Sequence, residues 1–431
     1  MAQTLKFGNG TWATKKGSIL AYSDTNENYK PLPFNYTGFG KGTRVNKEGL
    51  IEVVENDRPR IDYTDSEDGV FLLENASTNL ITYSEDFSNS YWTKSGSSVT
   101  SGFISPDGTA NAFKLIEDST NSFHGFYQNA NISLPIGKIT MSIFVKVNGR
   151  DYFQLRTGSA AGVTGAPLYA NFDLNNNSVT ASSSGVDNAK ISSFNNNWKR
   201  ISISFTVTSV SQASLVFQPI TTSSAVIGET YQGDGTSGVY IFGAMLEQNS
   251  VASSYIPTQG SIQTRVAETA SGSGNSEVFN DSEGVLFADI AANSDDLTFR
   301  LITLKGGSED IRFGFRSNSN MIYVQIGSFA FLTHVVSDIK SFNKVAIKYG
   351  TTGTKLIING FEVGLDTDNS SFSGINSLSF DLIGGSNFYG KTKEIGYYNT
   401  VLTDLELETL TSYRTWESMV KELNLNIIHN E

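Results

Sequence analysis

The chain has 431 residues, room for two or three domains, with 39% hydrophobic residues, only 17% charged residues and a net charge of −12. It contains no cysteine, which excludes disulfides, thiolate metal sites and cysteine nucleophiles. It has no long basic run, so nucleic acid is not an expected partner, because phosphate binding needs clustered Lys and Arg.

The polar remainder is carried by Ser, Thr, Asn and 40 Gly, beside 28 Phe and 18 Tyr. That is a composition of β-sheets joined by tight turns, not of long surface helices. The opening MAQTLKFGNG lacks the apolar core of a secretory signal. No apolar run reaches the ~18 residues a span needs, so membrane insertion is not expected. Residues 1–75 read as an irregular leader, with short aromatic pieces at 5–7 and 19–22 broken by Gly8, Gly10, Gly17, Gly38, Gly40 and Gly42 and an extended stretch at Pro31 and Pro33. Two readings stand: an attachment arm that packs on a partner, copies of itself included, or an N-terminal subdomain packed on the downstream chain.

From 76 to 270 the pattern turns to period-two alternation, in runs at 139–145, 152–155, 168–172, 199–207, 213–217 and 239–242. Ile201, Ile203, Phe205 and Val207 share one face of such a run, and Ser202, Ser204 and Thr206 the other. That is the pattern of a half-buried antiparallel strand. Several such strands between Asn/Gly/Ser turns predict a two-sheet sandwich. The stretch SGSGNS at 271–276 reads as a linker and places a domain boundary there.

A second β block covers 277–416, with strands at 285–289, 311–315, 321–326, 343–349, 355–359 and 394–398 and a hairpin turn at Asn359-Gly360, where both residues tolerate positive φ. It also predicts a sandwich. Thr403-Asp404-Leu405-Glu406 is a capping box. Leu407, Leu410, Tyr413, Trp416, Val420 and Leu423 then recur at helical spacing, so the helix ends near Trp416 or runs on to Leu423. Residues 417–431 close the chain as a C-terminal tail. The predicted fold is therefore all-β: a leader, two antiparallel jelly-roll sandwiches and a short C-terminal helix.

The middle block carries a series of motifs: residues 75–92 (NASTNLITYSEDFSNSYW), Ser105-Pro106-Asp107-Gly108-Thr109-Ala110, Asn197-Trp198-Lys199-Arg200-Ile201, residues 242–247 (FGAMLE) and Ser254-Tyr255-Ile256-Pro257-Thr258. These resemble the carbohydrate-binding-module-like jelly rolls of tailed-phage tail and fibre proteins. Upstream, residues 56–63 (NDRPRIDY) and Leu72-Leu73-Glu74 resemble the leader that precedes this module. The last block, through Ile358-Asn359-Gly360, residues 393–399 (KEIGYYN) and residues 402–406 (LTDLE), is similar to concanavalin/laminin-G-like jelly rolls.

The resemblance implies a structural component of a bacteriophage particle, a head or tail fibre on the virion surface. It implies that the leader anchors to other virion proteins, that the chain forms a homo-oligomer (a trimer, as is usual in fibres), and that the sandwiches face host-surface glycans. It also implies a structural Ca²⁺ where the chain enters the first jelly roll, with Glu85, Asp86 and Glu247 as the nearest matches. Solvated carboxylates are the alternative reading of those three.

An enzyme is not expected. A glycosidase needs two carboxylates flanking one bond. Glu85-Asp86 and Asp295-Asp296 are adjacent pairs, which on a strand point to opposite faces. There is no G-x-S-x-G elbow, and His124, His334 and His429 sit in no recognisable constellation. Glycan binding needs aromatic faces that stack on sugar rings and polar groups that read hydroxyls. The candidates are Tyr91, Trp92, Phe123, His124, Phe126 and Tyr127 in the first sandwich and Phe388 and Tyr389, among turn residues, in the second. Trp92 and Trp198 read instead as core, and the alternation through 123–127 turns half of those residues inward. A structural protein without glycan affinity and a polysaccharide depolymerase are the other functional readings.

Overall fold

The apolar face of Lys199–Val207 is buried as its alternation predicts, with Ile201, Ile203, Phe205 and Val207 all in the core. The strand pairs antiparallel with Gly137–Asn148 on one side and Val186–Ser193 on the other. This computed structural model describes residues 3–128, 131–307, 309–328, 330–368, 373–382 and 385–422. The chain divides into two units, a middle unit of Gly40–Val54 and Ala76–Val266 and a terminal unit of Met1–Phe39, Glu55–Asn75 and Ala267–Glu431.

The middle unit is a sandwich of two six-stranded antiparallel sheets. One runs in the order Trp92–Ser95, Gly125–Gln128, Leu215–Ile220, Tyr152–Thr157, Tyr169–Asp173, Ser178–Ser182. The other runs Ser97–Phe103, Ala112–Glu117, Gly238–Glu247, Gly137–Asn148, Lys199–Val207, Val186–Ser193. Trp92, Phe126, Phe153 and Phe217 from the first interleave with Leu115, Ile139, Met141 and Ile241 from the second. Apolar surface removed from water in this way is the main stabilising term.

The terminal unit is also antiparallel β. Its largest sheet holds Gly284–Ala292 and Gly390–Tyr398 side by side at the centre. A five-stranded sheet runs Ala330–Val335, Met321–Ile326, Ile311–Phe315, Arg300–Lys305, Ser377–Ser379. Thr14–Lys15, Ser18–Ile19, Phe34–Thr37 and Thr269–Ser271 make a smaller sheet.

Of the two readings of the leader, the packed one matches the strand pairing within the chain. Leu5–Gly8 pairs with Gly390–Tyr398, Leu5 opposite Tyr397 and Phe7 opposite Ile395. Val70–Leu73 pairs with the same strand further along. The reason is apolar: Phe7 meets Phe34, Phe71 and Phe380 at centroid distances of 5.0, 5.6 and 5.8 Å. All four rings belong to the same core, and fully burying each contributes roughly 2 kcal/mol. Residues 40–54 leave this unit to form the hairpin Gly42–Val45 and Ile51–Val54 in the middle one.

The boundary also moves. It falls between Val266 and Ala267, not at the Ser/Gly stretch. Ser271 ends a strand paired with Phe34–Thr37. Ser273 is buried, exchanges backbone hydrogen bonds with Leu378 at 2.7 and 3.0 Å and donates its hydroxyl to the Leu32 carbonyl at 2.7 Å. Small residues here allow close backbone approach instead of giving a loose tether.

The capping box forms as read: the Glu406 amide donates to Thr403 Oγ1 at 3.3 Å and the Thr403 amide to Glu406 Oε2 at 2.8 Å. It starts helix α1 (Asp404–Thr411), which packs Leu407 against Val285, Phe287, Ala346 and Ile357. The helical spacing then spans a break, because Ser412 is extended and a second helix α2 (Trp416–Glu422) begins beyond it. Leu423, His429 and the rest of the polar tail lie outside the described residues. Among the described residues no helix is long and apolar enough to cross a membrane.

Candidate glycan-binding face

Period-two alternation fixes what the five-stranded sheet of the terminal unit presents on each side. Ile311, Phe313, Phe315, Ile322, Val324 and Ile326 enter the core. The intervening residues, Arg312 and Gly314 on one strand and Tyr323 and Gln325 on the next, take the opposite face, in register Arg312 with Gln325 and Gly314 with Tyr323. Phe331 and Thr333 of the edge strand come next, opposite Gln325 and Tyr323. Gly314 sits at φ +143°, and a side chain there would run into the Arg300 carbonyl, 2.1 Å from the Cβ position.

At one end of this face Arg316 lies among three aromatic rings. Its guanidinium carbon is 4.7 Å from the Phe331 centroid, 5.6 Å from Tyr323 and 5.9 Å from Phe299. The rings themselves meet edge-on, Phe299 to Tyr323 at 5.7 Å and Tyr323 to Phe331 at 5.2 Å. Phe331 remains 53% exposed, while Tyr323 is buried and donates its hydroxyl to Gln325. Burial pushes the Tyr323 phenol above its ordinary range, and the charges of Arg312 and Arg316 partly offset that. Elsewhere on the same sheet Arg300 stacks over Tyr389 at 5.1 Å and pairs with Asp296 at 2.8 Å. Asn387 reaches the Tyr389 hydroxyl at 3.4 Å. The arrangement offers a large exposed aromatic plane, a fork of N–H donors and amide side chains, the set of groups that sugars are read by.

Of the residues singled out from sequence, Tyr389 is half-buried beneath Arg300, which stands opposite the core residue Phe315, and Phe388 is fully buried against Phe315 and Phe380. The others are in the middle unit. Trp92 and Phe126 are core, with Tyr91 edge-on to Trp92 at 4.9 Å. His124 is fully buried between two backbone carbonyls, Nδ1 to Gly96 at 2.6 Å and Nε2 to Tyr231 at 3.0 Å, so it reads no ligand. Trp198 is buried as well.

Phe123 and Tyr127 are half-buried, Phe123 beneath the Arg156 guanidinium at 5.4 Å. That sheet face is covered by the chain from 221 to 229. Asn171 donates to the Ala225 carbonyl at 2.8 Å, the Gly228 amide to Gln154 at 2.8 Å and the Thr221 amide to Glu229 at 2.7 Å. Burial holds the Arg156 guanidinium below its ordinary range. In the terminal unit's five-stranded sheet, Leu301, Thr303 and Tyr323 are buried on the outward side and the exposed aromatic is Phe331 on the edge strand. Arg316, Phe299, Tyr323 and Phe331 were not singled out from sequence. Phe299 precedes one strand and Phe331 lies in another, at a distance no local pattern links, although the outward Arg-x-Gly-x-Arg alternation of 312–316 was there to be noticed.

Glu85, Asp86 and Glu247 are each engaged by donors of the protein itself. Glu247 accepts from the Ser77 and Ser253 hydroxyls at 2.6 Å each and the Ser253 amide at 2.9 Å. Glu85 accepts from Tyr255 at 3.0 Å, with its carboxyl raised chiefly by burial. Asp86 accepts the Ser88 amide at 3.1 Å. Among the described residues no group of three or more His, Asp or Glu is placed to hold a metal. The acidic pair Asp295-Asp296 also diverges, Asp295 to Ser319 and Asn320, Asp296 to Thr298 and Arg300.

No protein-family model matches the chain, and no curated protein matches it. Among solved structures, the Ruminococcus gnavus IT-sialidase CBM40 is 16% identical over 33% of this chain and 94% of its own, with a TM-score of 0.28. Domain 4 of AbnA, a GH43 extracellular arabinanase from Geobacillus stearothermophilus in complex with arabinotriose, is 16% identical over 34% and 73%, with a TM-score of 0.28. Trypanosoma rangeli sialidase is 10% identical over 91% and 81%, with a TM-score of 0.28. Likenesses of this strength carry no argument about ligand, and the reading of the site rests on the residues above.

Proposed function

We propose that this chain is a non-enzymatic glycan-binding protein displayed on a phage particle, and that it engages host-surface sugar at the edge of the terminal unit's five-stranded sheet, around Phe331 and Arg316. The observation that carries the binding role is Phe331, an aromatic plane 53% exposed beside the Arg316 guanidinium. An aromatic plane beside N–H donors supplies the stacking surface and the polar groups by which sugars are read. The virion setting is supported by the motifs of residues 75–92 and 242–258, which resemble phage fibre modules.

The test is a glycan array probed with the whole chain and with Phe331→Ala. The expected outcome is binding by the native chain and a loss of at least tenfold in the variant, with the two proteins melting alike. Equal silence from both on the array, with particles still unable to assemble without the protein, would assign it a purely structural role.

A further inference from the structure

Among the described residues, the neighbouring cations of this sheet are paired and Arg316 is not. Arg300 pairs with Asp296 at 2.8 Å, Lys305 with Asp381 at 2.7 Å and Arg312 with Asp310 at 3.3 Å. Arg316 has no ion pair and no side-chain hydrogen bond among the described residues. Its contacts are the three rings, and its buried Nε has no acceptor. The rings attract the cation through their π faces, but they accept none of its N–H groups well.

A guanidinium in this setting is oriented, partly stripped of water and unneutralised, within a chain whose net charge is −12. Its planar fork matches a carboxylate through two parallel hydrogen bonds, which an ammonium cannot reproduce. Phe331, beside it, offers a surface for the face of a sugar ring.

We infer that Arg316 is the carboxylate anchor of an acidic saccharide, with the ring that bears the carboxylate packed on Phe331. This rests on the glycan-binding reading and narrows it to sugars carrying a carboxylate. A neutral sugar would leave the guanidinium donors without acceptors in a site where the ligand excludes water, and unmet donors of that kind disfavour binding. Discrimination then comes from the charge, and affinity should weaken with added salt, because an ion pair at a surface is screened.

The experiment uses the whole chain on an array that prints each carboxylated oligosaccharide beside its carboxyl-reduced form, in which the carboxylate has become a hydroxymethyl group, together with sulfated and neutral oligosaccharides. The native chain is expected to bind carboxylated members and to lose at least tenfold on their reduced partners. Arg316→Lys, which keeps the charge and removes the fork, and Arg316→Gln are both expected to lose that preference. Thermal melts of the two variants verify their folding, and whichever variant melts with the native chain decides the test. Binding that is equal for carboxylated and reduced partners, or confined to sulfated members, or unchanged in a folded Arg316 variant, overturns the anchor while leaving a glycan-binding protein. Silence across every class overturns the glycan reading itself.

Discussion

Phe388 and Tyr389 are neighbours with different surroundings. Phe388 is sealed in the terminal core against Phe315 and Phe380, and Tyr389 lies half-buried under Arg300. Phe388→Ala should therefore destabilise the terminal unit by about 3–5 kcal/mol, since the cavity it leaves is lined by rigid rings. Tyr389→Ala, which removes a half-buried ring from beneath Arg300, should cost no more than about 1 kcal/mol. Urea denaturation of the two variants, followed by tyrosine and tryptophan fluorescence, separates these outcomes. The sequence shows that both are aromatic and flanked by turn residues, but not which one points inward. The same limit applies to His124: its residue type suggested a ligand contact, and its direction put it between the carbonyls of Gly96 and Tyr231.

At the scale of elements, the alternating strands and the capped helix were legible because their signals are local. The pairing of the leader was not, because it depends on partners hundreds of residues away. Arg60 is the clearest instance. Within the leader motif it looks like one more exposed cation. In the fold it is fully buried, donating from Nε to Glu268 at 2.7 Å and from Nη1 to Glu74 at 2.8 Å, while Tyr36 donates its hydroxyl to Glu268 at 2.6 Å. Arg60→Leu would leave two buried carboxylates without their cation and should destabilise the terminal unit by about 3–5 kcal/mol, measured as a lower urea midpoint.

A comparable pair in the middle unit sets a pH dependence. Burial pushes the Glu117 carboxyl up, but hydrogen bonds from Arg150, the Asp234 amide and the Tyr231 hydroxyl, with the Arg150 charge, outweigh it and hold the group below its ordinary value of 4.5. A depressed carboxyl contributes stability above the ordinary carboxylate range and loses it as pH falls through the folded value. Acidification below about pH 4.5 should accordingly weaken the native middle unit. Glu117→Gln should be less stable at neutral pH and show a shallower acid limb in melting temperatures taken across that range.

For the molecule as a whole, the chain crosses between its two units at residues 39–40, 54–55, 75–76 and 266–267. Composition revealed little of this, because the Ser/Gly stretch that resembles a tether is packed within a sheet system and, of the true crossings, only that at 39–40, amid Gly38, Gly40 and Gly42, carries a glycine-rich signature. One pairing has a consequence for how the protein comes into being. Leu5–Gly8 lies beside Gly390–Tyr398, so this strand finds its place only after a partner far downstream in the chain has left the ribosome. Through that interval the aromatic rings of Phe7, Phe34 and Phe71 are without their Phe380 partner, and contacts of such sequence separation form slowly. The middle unit needs nothing beyond Val266, so it can be complete while the leader still waits. Translation speed and chaperone supply therefore bear on the yield of the terminal unit more than on that of the middle one.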